Sequence, residues 1–216
     1  MLSLFSREGI ISLIVSIPGL LLAISLHEFA HGYAAYLMGD PTAKYSGRLS
    51  LNPLHHLDLM GAICMLLFRF GWAKPVPIDP RYFKNHRLGV VLVSLAGPFA
   101  NFILGFLFCL GYYAIGRFSL SSNAFWQFAS QICLYGIFMN VGLMVFNLIP
   151  IPPLDGSKIL MEFLPPGIKY RIYSYERYFS LILIIIVYAG AMSPVLGVLR
   201  GYVISFYELC AQAIFF

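Results

Sequence analysis

Apolar residues run through this chain in long unbroken stretches separated by short polar links. Stretches of eighteen or more such residues predict membrane-crossing helices rather than half-buried strands or one-sided surface helices. The first extends from about Ile10 to Met38 and stops at 39-GDPT-42, a Gly/Pro stop signal. Its 29 residues would make about 43 Å of helix. That exceeds the roughly 30 Å hydrocarbon core, so its second half should reach the interface. Pro18-Gly19 is the place where it can kink. Arg7 ahead of the run resembles a signal peptide, but no small-x-small site ends it and the helical pattern continues past His27. We read it as a retained span.

The next apolar stretch, 59-LMGAICMLLFRF-70, has 12 residues and carries Arg69. It is too short to cross comfortably and predicts a re-entrant or half-inserted element between the first two core helices. Such backbone is tolerated at depth only where protein or a water-filled cavity covers it. Pro75, Pro77 and Pro80 then keep 71-GWAKPVPIDPRYFKNHR-87 extended or turned. Two clear spans follow, about Leu88–Ile115 and Phe125–Leu148, the second ending in the proline-broken 147-NLIPIPPLDG-156. A basic, semi-polar loop fills 157–177, and about Tyr178–Leu199 predicts another span. The tail 201–216 is apolar enough to lie in or on the membrane. The expectation is an all-α polytopic membrane protein with about four to six transmembrane helices, one membrane-embedded domain over 1–216, its core within 16–160 and its C-terminal helices within 178–216.

Composition agrees. Charged residues make up 11% of the chain, against about a quarter in a soluble domain. The net charge of +5 does not point to nucleic acid, because the basic residues sit in short loops. If 59–70 does not cross, the loops 39–58, 71–87 and 149–177 share one face and hold ten Lys/Arg, against Arg7, Arg117 and Arg200 opposite. The positive-inside rule then puts those loops in the cytosol, and this bias supports the re-entrant form. Cys64, Cys109, Cys133 and Cys210 all lie in apolar stretches without a C-x-x-C pair and read as small buried hydrophobes. Trp72 and Trp126 suit interfaces.

The chemistry is concentrated in 27-HEFAH-31. His27 and His31 are four apart on a helix and share a face, so both can reach one metal ion. Glu28 lies about 100° round, beside the metal, where it can take a proton from a metal-activated water. An ionisable side chain at the centre of a span costs at least about 2.5–3.5 kcal/mol. These three must therefore face a bundle interior or a cavity. A catalytic zinc needs a third protein ligand and an open position. Asp40, Asp58, Asp79, Asp155 and Glu162 are the candidates. Asp155 follows a proline-broken backbone, yet by spacing alone Asp155-Gly156 is equally a simple turn.

Five stretches in order, 27-HEFAH-31, 52-NPLHHLD-58, 71-GWAKPVPIDP-80, 94-SLAGPFAN-101 and 147-NLIPIPPLDG-156, resemble the site-2 protease family of intramembrane zinc metalloproteases. The resemblance implies one zinc ion held by His27, His31 and Asp155, with Glu28 as catalytic acid/base and Asn101 facing the site to hold a substrate carbonyl. It leaves His56 and Asn147 as possible auxiliaries. It also implies transmembrane protein substrates, a bilayer setting in a bacterial or archaeal cell membrane, and an active site near the cytosolic side. The chain is similar to compact members without PDZ or CBS modules. It departs from them at Leu59, where proline often follows the second motif. Gly97 and Pro98 should let the first two spans approach closely. The alternative is a membrane zinc transporter or a metal-binding membrane protein without protease activity, although a transporter has no need of Glu28 beside the first histidine.

Overall fold

The computed structural model describes residues 7–58, 60–61, 73–118 and 123–216. The expected element at 59–70 falls outside these apart from 60–61, as do Cys64 and Trp72. Helix α1 (Arg7–Met38) leads to a single turn, α2 (Thr42–Tyr45). Then come α3 (His86–Phe118), α4 (Ala124–Asn147), α5 (Asp155–Met161), α6 (Pro166–Ser174), α7 (Glu176–Tyr188) and α8 (Ser193–Phe215). Short 3-10 turns occupy Pro53–His55 and Pro80–Tyr82. Four helices, α1, α3, α4 and α8, are long and apolar enough to cross a membrane.

Local chemistry sets the ends. Gly39 stops α1 by taking a left-handed conformation (φ 111°), and the Asp40 N–H then returns to the Ala35 carbonyl at 2.9 Å. The side chain of Asn85 accepts from Leu88 N–H at the start of α3. Asn123 accepts from Trp126 N–H at the start of α4. Pro150, Pro152 and Pro153 forbid helix after Leu148, so the backbone turns before α5 begins.

Helices α1, α3 and α4 form the centre, and α8 packs on α3 and α4. Small residues set the spacing, as membrane helices require. A Cβ on Gly19 would stand 2.9 Å from the Gly136 Cα of α4. On Gly97 it would stand 2.4 Å from the His31 ring of α1. Cys109, Ile137, Val141, Met144, Leu196 and Tyr207 belong to one apolar cluster joining α3, α4 and α8. The Tyr207 hydroxyl donates to the Phe102 carbonyl at 2.5 Å. Helices α3 and α8 run parallel, since Phe118 and Phe215, both near C-terminal ends, meet edge to face.

Two expectations are corrected. The span expected at 178–199 is two helices. The turn 189–192 separates them, with Gly190 left-handed (φ 72°) and Pro194 in the first turn of α8. The apolar side chains on either side hid this break. At 13 residues, α7 makes about 20 Å of helix and does not match the hydrocarbon core. The tail 201–216 instead completes α8, the fourth span. Arg200, counted on the face opposite the basic loops, lies in the Ser193 half of α8. Because α8 parallels α3, that is the half nearer His86 and those loops.

The Gly19–Gly136 contact is backbone against backbone, with nothing flexible to give way. Gly19→Ala should therefore destabilise the detergent-solubilised protein by about 1–3 kcal/mol, read as a lower thermal unfolding midpoint.

Candidate metal centre

His27 and His31 lie in the second half of α1, and α5 begins with Asp155 where α4 has ended. The three meet at one end of the bundle. His27 Nε2 and His31 Nε2 are 3.0 Å apart. Asp155 Oδ2 lies 3.3 Å from the first and 3.2 Å from the second. All three side chains are buried.

The other ring nitrogens fix the tautomers. His31 Nδ1 is 2.7 Å from the Val93 carbonyl, which only accepts, so that nitrogen carries the proton. His27 Nδ1 is 2.6 Å from Asn101 Oδ1. Asn101 is oriented by its Nδ2, which donates to the Ala23 carbonyl at 3.0 Å and to Asn140 Oδ1 at 2.9 Å. Both Nδ1 atoms are thus donors, and both Nε2 lone pairs point at each other and at a carboxylate. With both imidazoles neutral, that arrangement suits a cation seated between the three donors. Four tetrahedral zinc bonds of about 2.0–2.1 Å would place neighbouring donors about 3.3–3.4 Å apart. The observed separations of 3.0–3.3 Å fit that ion.

The other oxygen of this carboxylate, Asp155 Oδ1, accepts from the Lys158 ammonium at 2.9 Å. The other candidate carboxylates are engaged elsewhere. Asp40 accepts from the backbone N–H groups of Thr42 and Asp79. Asp58 accepts from Gly61 N–H, Asp79 pairs with Arg81, and Glu162 pairs with Lys169.

The centre opens into a cavity of about 790 Å³ whose lining includes Glu28, Val76, Asn147 and Lys158. Glu28 Oε2 accepts from Val76 N–H at 2.9 Å. Val76 lies between two prolines, in a stretch tied down by Lys74 N–H to the His56 carbonyl and by Arg48 to the Lys74 carbonyl.

Chain similarity agrees with this geometry. The family model described as peptidase family M50 matches residues 114–192. YwhC of Bacillus subtilis is 42% identical over 170 residues, 77% of each chain. The chain belongs to peptidase family M50. Rip2 of Mycolicibacterium smegmatis is 32% identical over 83% of this chain and 69% of its own. MJ0611 of Methanocaldococcus jannaschii is 28% identical over 72% of this chain and 85% of its own. Each of the three bears a name that makes it a candidate zinc metalloprotease. No solved structure matches. The likeness to site-2 proteases read from five short motifs is thus a family relation extending over most of this M50 peptidase.

The structure places the remaining expected residues as follows. Asn101 is fully buried, and both amide hydrogens and its carbonyl are used inside the bundle. It has no donor left for a substrate carbonyl and instead orients His27. Asn147 is the asparagine that borders the cavity, with Nδ2 donating to Leu143 O at 3.0 Å. His56 is fully buried and donates from Nε2 to the Ser50 carbonyl, so it pins a loop rather than lining the cavity. Two partners were missed, the Val76 amide and Lys158. The second was visible as a cation three residues after Asp155 at a helix start; a backbone amide leaves no such trace.

Asn101→Leu should leave the His27 Nδ1–H without an acceptor. Loss of a ligand's orienting partner typically costs 10–100-fold in metal affinity. The expected outcome is a drop of about that size in zinc retention against a chelator.

Proposed function

We propose that this M50 peptidase hydrolyses peptide bonds within or beside transmembrane segments of membrane-protein substrates, as a step in regulated proteolysis. The observation that carries the reading is one buried donor trio, fit for zinc, with a carboxylate beside it, opening to a cavity at the end of a bundle of membrane-length helices. His27, His31 and Asp155 hold the ion. Zinc there supplies Lewis acidity, polarising a carbonyl and making water nucleophilic near neutral pH. Glu28 is the catalytic base: its carboxylate takes a proton from the attacking water and later delivers it to the leaving amine. The Val76 amide holds Oε2, which leaves Oε1 for that traffic.

The site faces the cytosolic side of a bacterial or archaeal membrane, because the basic loops gather at this end of the bundle. A substrate helix has to unwind before its carbonyls can react. The proline-rich 73–79 stretch, already joined to Leu57 at Ala73, offers an unwound segment a place to pair.

Glu28→Ala is expected to keep zinc at the wild-type level and to cut cleavage of a model membrane substrate by about 10²–10⁴-fold. Undiminished cleavage by that variant would sink the mechanism. Wild-type protein that moves zinc across proteoliposomes and cleaves nothing would make it a transporter instead.

A further inference from the structure

The two oxygens of Asp155 occupy different surroundings. Oδ2 faces the imidazoles at 3.2 and 3.3 Å. Oδ1 accepts from Lys158 Nζ at 2.9 Å. Lys158 stands three residues on, so this contact spans the first turn of α5 and lies against the same cavity. Its side chain is half exposed, so the pair adds little to stability. Its effect is on geometry.

An aspartate with two free oxygens can turn about χ2 and grip a metal ion with both. A catalytic zinc site keeps one position open beyond its three protein ligands, and a second carboxylate oxygen would fill it. The backbone does not absorb such a swing. A Cβ on Gly156 would stand 2.2 Å from the Leu148 carbonyl oxygen, so the start of α5 is wedged against the end of α4. Rotation of the carboxylate is the freedom that remains, and Lys158 restrains it.

We propose that Lys158 is a positioning residue that keeps Asp155 a one-oxygen ligand and so keeps a coordination position open. The proposal rests on the zinc centre described above. It names a determinant of how the ion is held, which is separate from whether it is held.

The test uses the full chain in detergent, loaded with cobalt(II), whose visible absorption shifts when an added small anion such as azide enters an open coordination position. Lys158→Met should bind the ion at the wild-type stoichiometry but lose the azide-induced shift, while Lys158→Arg keeps it. On a model substrate, Lys158→Met should lose about tenfold or more in kcat at unchanged KM and zinc content. A Lys158→Met azide response and kcat equal to wild type would overturn the proposal. So would loss of the bound ion, which would make Lys158 a requirement for retention rather than for ligand mode. The spectrum is read without substrate. Wild type that binds cobalt and cleaves nothing would therefore overturn the peptidase reading and leave this one standing.

Discussion

Asn101 fixes the distances on which the rest of the molecule depends. Its side chain sits where α1, α3 and α4 meet, and it joins His27, the Ala23 carbonyl and Asn140. Asn140 carries the chain of hydrogen bonds on to Gly136 O at 2.8 Å. In apolar surroundings every one of these groups must be satisfied, and a buried donor or acceptor left alone costs about 1–3 kcal/mol. The helices therefore sit at one spacing, and glycine permits that spacing where it is tightest. Gly136 receives α1 at Gly19, and Gly97 receives the two imidazoles. One buried amide orients a proposed metal ligand and locks helix packing together, so stability and chemistry are coupled at this point.

A second framework holds the carboxylate side of the site. The stretch 73–79 is tied to the His56 carbonyl through Lys74, to Glu28 through Val76 and to Asp40 through Asp79. Asp40 follows the glycine that ends α1, so the helix carrying the histidines also anchors the segment that holds the base. Fully buried His56 belongs to this framework: its ring grips Ser50 while its backbone receives Lys74.

Much of this was legible in the sequence because apolar runs and proline stops speak directly about spans. Segments at Ile10–Met38, Leu88–Ile115 and Phe125–Leu148 lie within a few residues of α1, α3 and α4. The i, i+4 histidines also met as their spacing implies. Two kinds of information were hidden. Hydropathy does not distinguish one helix from two when the break at Gly190 is flanked by apolar residues on both sides. Motif position does not reveal which way a side chain points. The resemblance had Asn101 facing the site and Asn147 only as an auxiliary, and packing shows the first consumed inside the bundle while the second borders the cavity. By spacing alone Asp155 was one carboxylate among five; the family resemblance singled it out, and the turn after α4 brings it to the histidines.

The prolines flanking Val76 have a consequence for self-association. Exposed strand edges invite pairing between copies, because each supplies both donors and acceptors. Along 74–79, Pro75 and Pro77 have no hydrogen to donate, and Lys74, Val76 and Asp79 spend theirs inward. Among the described residues that leaves Ile78 as the one N–H without a partner. The edge is rich in acceptors and poor in donors, so two enzyme molecules lack the complementary groups to zip together there. A peptide that settles on it has to bring the donors itself, as a freshly unwound segment with unpaired amides does.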